Sequence, residues 1–299
     1  MISQTLALPK AFNYNHILTY LSRSEKELLH QVIDQTVYKW ITHKGVDLLF
    51  SIQQNDSQSL TINLLNQTDH ELIHPVMDFI RGWWDLDLDL EAFYKVAKRD
   101  DLLEPIIERL YGLRVIGVND LFEALCWSVI GQQVNLPFAY TLKKRLVEMY
   151  GKKSTWEGQS FWQFPQPNTL SNVTIDELKS LSLTTRKSEY IIGIAKLIEA
   201  GQVSKVELLA LRDHKLMEKQ LVNIRGIGPW AANYVLLRCL RTPSAYPIGD
   251  VGLQNAVKKR LQMDRKPTGD ELMELAKNWP NWEGYATFYL WQSLSLTKV

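Results

Sequence analysis

The chain has 299 residues, 45% of them apolar and 22% charged, with a net charge of +1. Those proportions exclude a disordered chain and allow one large domain or two to three smaller ones. Two cysteines, Cys126 and Cys239, are too few for a disulfide framework or a four-cysteine metal or iron-sulfur site, so both are expected as reduced core thiols.

The opening MISQTLALPKAFNYNHILTYLSRSEKE lacks the basic start and long apolar run of an export signal. No later stretch stays apolar for the roughly 20 residues a membrane span needs, so a cytoplasmic protein, with the nucleoid in a bacterium and with no membrane partner, is expected. In YKWITHKGVDLLFSIQQNDSQSLTINLLN, β-branched and aromatic runs are separated by the turn-formers KG and QNDSQS, with helical spacing before and after. This pattern predicts a small α+β domain with an antiparallel sheet, assigned to residues 1–88. The acidic, helical DLDLDLEAFYKVAKRDDLLEPIIERLYGLRVIG then connects to a mainly α-helical region, 89–299.

From Asp120 onward nearly every segment has helical spacing. DLFEALCWSVIGQQVNLPFAYTLKKRLVEMYG runs from an N-cap at Asp120, with Glu123 three residues on, to a C-cap at Gly151. TIDELKSLSLTTRKSEYIIGIAKLIEAG repeats that grammar between Thr174 and Gly201. The intervening KKSTWEGQSFWQFPQPNTL is expected as a polar, proline-bearing loop. Between 179 and 241 eleven Lys and Arg face five acids. Such a local basic surplus suits nucleic acid even in a nearly neutral chain.

HKLMEKQLVNIRGIGPWAANYVLLRCL is spaced as helix, tight turn, helix, with Gly226-Ile227-Gly228 at the turn and Pro229 opening the second helix. Glycines allow backbone shapes and close approaches that side chains block, and free N–H groups at the second helix start suit an anion such as phosphate. Taken alone, the turn equally fits a plain helix corner, and Asp250 further on equally fits an N-cap.

Together, LVNIRGIGPWAANY followed by YPIGDVGL resembles the helix-hairpin-helix DNA glycosylase superfamily. The resemblance implies that the helical region forms two subdomains around a cleft, about 116–225 and about 89–115 plus 226–299. It implies that Gly226, Ile227 and Gly228 hold a DNA phosphate, with a monovalent cation possible on the carbonyls of Ile224 and Gly226, and no other cofactor or iron-sulfur cluster. Asp250 matches the family's catalytic carboxylate, which supports positive charge on the deoxyribose as the glycosidic bond breaks. Position 230 carries a nucleophilic lysine in strand-cleaving members; here it is Trp230, whose indole cannot form a Schiff base, so water is the expected nucleophile.

Trp230 and Tyr234 share a helix face, and Trp291 in NWPNWEGYATFYLW matches a pocket tryptophan of the alkylation-repair branch. Electron-rich rings attract cations by about 0.5–2 kcal/mol, which suits a positively charged alkylated purine. FEALCWSVIGQQVNLPFA resembles the segment that enters the minor groove, where Gln133 would fill the gap left by a flipped nucleotide. The resemblance thus implies a monomeric, monofunctional glycosylase that hydrolyses alkylated purines such as 3-methyladenine and 7-methylguanine from double-stranded DNA. Two alternatives stay open at this point: a DNA-binding protein without catalysis, and an oxidised-purine glycosylase with lyase activity.

Overall fold

A computed structural model describes residues 2–296. The N-terminal part is a five-stranded antiparallel sheet, β1 (Ile2–Ala7), β2 (Gln31–Ile33), β3 (Thr36–His43), β4 (Val46–Asp56) and β5 (Ser59–Leu64), in the order β1-β5-β4-β3-β2. Helix α1 (Tyr14–Leu21) lies between the first two strands and α2 (Ile73–Trp83) follows the last. Turns at Asp34-Gln35 and Lys44-Gly45 have positive φ at both central residues, the two-residue hairpin geometry that matches strand twist. Alternation sorts Leu48, Phe50, Ile52, Leu60, Ile62 and Leu64 into the main core, all fully buried.

Helices α3 (Glu91–Ala97) and α4 (Glu104–Arg109) lead into α5 (Leu121–Ile130) and α6 (Leu136–Tyr150). A second sheet, β6 (Lys152–Trp156) and β7 (Gln159–Gln163), precedes α7 (Pro167–Leu170), α8 (Ile175–Ser180), α9 (Thr185–Glu199) and α10 (Lys205–Ala210). The chain closes with α11 (His214–Val222), α12 (Pro229–Arg238), α13 (Val251–Arg260), α14 (Gly269–Ala276) and α15 (Glu283–Ser293). The α+β class, with a sheet domain ahead of a helical region, is as the sequence implies.

Three local expectations need correction. The segment after Gly151 is a hairpin and not a loop: Glu157 and Gly158 both take positive φ, and Phe161 packs with Trp40 and Leu49 on the outer face of the main sheet. The hairpin's residues do not alternate in polarity, because Gln159 and Gln163 share the face of Phe161 and Trp162 lies on the opposite one. The Asp120–Gly151 stretch is two helices, broken at residues 131–135 where the resemblance implies a helix end and loop, and Asn135 caps α6 by accepting from the Phe138 N–H. The Thr174–Gly201 stretch is likewise two helices, interrupted where Ser182 adopts a φ of 72°. Asp120 does cap α5, accepting from the Glu123 N–H at 2.7 Å, but the Glu123 carboxylate turns to Lys143 instead of closing a capping box. Both cysteines are buried and free, and burial pushes the Cys239 thiol up to about 12.

The sheet domain is fastened to the helices by charge. Lys143 on α6 lies 2.9 Å from both Glu27, which follows α1, and Glu123 on α5, and all three side chains are at most 15% exposed. Such a group is stabilising only while complete, because losing one member strands the others without partners. Burial holds His30 neutral, lowering its pKa from 6.5 to about 4. Burial opposes ionisation of Glu27, yet Lys143 and His30 outweigh it, and its pKa falls from 4.5 to about 2.

Both shifts act with the same sign. The unfolded chain takes up protons at His30 as pH falls from 6.5 to about 4, and at Glu27 between 4.5 and about 2, ahead of the folded chain. Thermal melting should therefore show stability declining continuously as pH drops below 6.5. Lys143→Met should cost roughly 3–5 kcal/mol at neutral pH, measured by denaturant unfolding.

Candidate active site and DNA-binding hairpin

The hairpin is built as its sequence dictates. Helix α11 ends at Val222, the Ile227 N–H donates to the Ile224 carbonyl at 2.9 Å, and Pro229 starts α12 with no side chain capping it. Gly226 has a φ of +96°, and a Cβ there would collide with the Tyr190 ring. Gly228 differs: its φ is −89°, and a Cβ would meet nothing within 4 Å. The protein itself requires glycine at 226, whereas the openness at 228 is useful only to something that approaches from outside.

Asn233, buried on α12, ties the hairpin to the chain between α12 and α13. Its amide donates to Glu218 on α11 at 2.7 Å and its carbonyl accepts from the Tyr246 N–H at 3.0 Å, fixing the segment that leads to Asp250. Asp250 caps α13, with Oδ1 accepting from the Leu253 N–H at 2.7 Å. The same oxygen accepts from Trp291 Nε1 at 2.7 Å, and Oδ2 accepts from Trp230 Nε1 at 2.9 Å. All three donors are neutral, and among the described residues no Lys or Arg pairs with this carboxylate. Its charge is thus oriented without being neutralised, and Oδ2 retains a lone pair free to face a reacting group.

The four residues singled out in the sequence come together here. Tyr234 is buried, its ring 6.1 Å from Trp230 and 6.4 Å from Trp291. The tryptophan N–H groups are committed to Asp250, so the indoles present faces and not donors to a ligand. Tyr234 is less free than the sequence suggests: Arg238 packs 5.4 Å from its ring centre and donates to its hydroxyl at 3.3 Å.

Gln133 stands exposed in the break between α5 and α6, with a φ of 55°. Its neighbour Gln132, not singled out in the sequence, donates to the Gly226 carbonyl at 2.9 Å and joins this loop to the hairpin. Lys187 on α9 donates to the Ile130 carbonyl at 2.8 Å, holding the end of α5. Gly252 also escapes sequence reasoning: a Cβ there would lie 2.9 Å from Asp250 Oδ1 and 3.2 Å from Trp291 Cδ1. Only the pairing of Gly252 with a residue 39 positions away could have revealed it, and no spacing rule covers that.

A cleft of about 700 Å³ lies where the sheet domain meets α5, α6 and α12. Tyr20, Arg23, Trp127, Tyr140, Tyr234 and Arg238 help to line it, whereas Trp230, Asp250 and Trp291 do not. Tyr234 is the wall that the aromatic site and the cleft share.

The model of the HhH-GPD superfamily base excision DNA repair proteins matches residues 126–281, which include the hairpin and Asp250. The chain belongs to that superfamily. The AlkA N-terminal domain model matches residues 4–120 of this base excision repair protein. It is 43% identical to the DNA-3-methyladenine glycosylase of Bacillus subtilis (strain 168) over 292 residues, 97% of this chain and 96% of that one. The 3-methyladenine DNA glycosylase of Archaeoglobus fulgidus superposes with a TM-score of 0.82 at 22% identity, covering 99% of this chain and all of that one. An 8-oxoguanine glycosylase/lyase from Clostridium acetobutylicum superposes at a TM-score of 0.74 and 18% identity, over 97% and 95% of the two chains. These two likenesses describe the fold. Among the described residues no helix is long and apolar enough to cross a membrane.

The two hairpin glycines should separate in a mutational test. Gly226→Ala should lower the melting temperature, whereas Gly228→Ala should leave it in place and weaken binding to duplex DNA, as read by anisotropy. Gly252→Ala should preserve the fold, since Gly252 sits in the first turn of α13, where alanine is compatible with the helix. It should nevertheless reduce turnover roughly ten- to a hundredfold by displacing Trp291 from Asp250.

Proposed function

We propose that this protein hydrolyses the N-glycosidic bond of alkylated purines in duplex DNA, acting as a monomer in the cytoplasm with the chromosome and leaving an abasic site. The observation that carries it is the Asp250 carboxylate, held by three neutral donors beside an aromatic wall with no nucleophilic amine at position 230. The relatedness to the Bacillus subtilis enzyme, over nearly the full length of both chains, supports the same substrate class.

Bond breaking leaves positive charge on the sugar, and an ionised carboxylate without a counter-ion stabilises that charge electrostatically. The free lone pair of Oδ2 orients the attacking water. An alkylated purine carries a positive charge and departs as a neutral base, so no general acid is needed. The faces of Trp230, Tyr234 and Trp291 take the flipped base by stacking, and Gln133 occupies the space it leaves in the helix.

Gly226, Ile227 and Gly228 with the start of α12 hold a phosphate, the open space at Gly228 admitting it closely. The carbonyls of Ile224 and Gly226 each already accept one hydrogen bond and keep one lone pair. Such neutral oxygens fit a monovalent cation better than a divalent one, and a cation there would add electrostatic attraction for the phosphate.

Chromatography of bases released from methylated duplex DNA tests this reading. The wild type should free 3-methyladenine and 7-methylguanine and leave strands intact with abasic sites, and borohydride should trap no covalent adduct. Asp250→Asn should bind DNA and lower release by about a hundredfold or more. Absence of alkylated bases from the wild-type reaction would overturn the proposal.

A further inference from the structure

The cleft beside the aromatic site holds several cations, and three of them are already engaged. Lys143 serves Glu27 and Glu123, Lys39 donates to the Leu29 carbonyl at 2.9 Å, and Arg238 donates to the Ile116 carbonyl at 2.6 Å as well as to Tyr234. Arg23, which follows α1 in the sheet domain, is different. Its guanidinium carbon sits 3.6 Å from the centre of the Tyr20 ring, and its Nε donates to the Tyr140 hydroxyl at 2.6 Å.

Those two contacts fix the plane of the group, and its side chain remains exposed to the cleft. Among the described residues neither terminal nitrogen of Arg23 has an acceptor, and no carboxylate pairs with it. Arg238 lies 5.5 Å from the centre of the same Tyr20 ring and 5.4 Å from that of Tyr234, so Arg23 stands on the cleft wall one residue away from Tyr234, which the cleft and the stacking wall share.

The indole N–H groups of Trp230 and Trp291 are spent on Asp250, and Tyr234 holds Arg238. The stacking wall can therefore grip any purine face without reading its edge. A rigid guanidinium is a donor and nothing else, so it discriminates between edges: an oxygen at the six position accepts from it, whereas an amino group opposes hydrogen to hydrogen.

We propose that Arg23 is a specificity-determining residue whose terminal N–H groups meet the six-position oxygen of the flipped purine. The contact then raises release of 6-oxopurines such as 7-methylguanine relative to 6-aminopurines such as 3-methyladenine, compared with the protein lacking it. The inference rests on the alkylpurine glycosylase reading and assigns the sheet domain a part in choosing the base.

The test is the ratio of the two bases released from one preparation of methylated duplex DNA, alongside binding of undamaged duplex at several salt concentrations. In Arg23→Gln the ratio of 7-methylguanine to 3-methyladenine should fall about fivefold or more, the size of one lost arginine contact to a guanine oxygen. Tyr140→Phe, which frees Nε but keeps the ring, should move the ratio in the same direction by less.

Equal loss of both bases, or no change in ratio in either variant, would overturn the assignment. So would a fall in undamaged-duplex affinity with a shallower salt dependence, since that marks a phosphate contact. If the wild type releases neither base, the underlying glycosylase reading has failed, and this outcome is distinct from an unchanged ratio in an active enzyme.

Discussion

The bond pair between the Asp250 carboxylate and the indole N–H groups of Trp230 and Trp291 organises the rest of the site. It joins three segments: the start of α12, the start of α13 and the body of α15. A carboxylate that served only as an N-cap needs one donor from its own helix, which the Leu253 N–H supplies. The two additional donors come from far along the chain and add no positive charge. Their effect is to fix a negative group in a setting where its field is directed outward instead of being cancelled.

The same bonds determine how a base can be held. An indole whose N–H is occupied offers a flat, polarisable face and little else, so the stacking proposed for Trp230 and Trp291 would tolerate whichever ring lies against them. On that reading edge recognition has to come from elsewhere, and Arg23 of the sheet domain is the group proposed for it. The buried group formed by Glu27, Lys143 and Glu123 makes that placement rigid, because it clamps the chain just beyond α1 against α5 and α6.

Much of this is legible in the sequence, for physical reasons that differ by element. The hairpin announces itself because a tight turn at Gly226 and a proline at the first helical position are local requirements of the backbone. Asp250 is legible as a cap for the same reason, and its further role comes from the family resemblance. The β6–β7 hairpin is hidden because Gln159 and Gln163 flank Phe161 on the packed face, and its partner surface, Trp40 and Leu49, lies more than a hundred residues earlier. Gln132, Gly252, Asn233 and Arg23 escape for a related reason. Each acts through a contact with a distant segment, and such contacts leave no period or spacing in the chain.

The bond from Gln132 to the Gly226 carbonyl also fixes a length. One dipeptide, Gln132-Gln133, belongs to two tasks: its first residue is bolted to the hairpin, and its second stands free at the surface. The hairpin and the exposed tip therefore cannot drift apart, and together they form a caliper of set span. On the proposed reading, a duplex held at the hairpin meets Gln133 at a fixed step along its backbone.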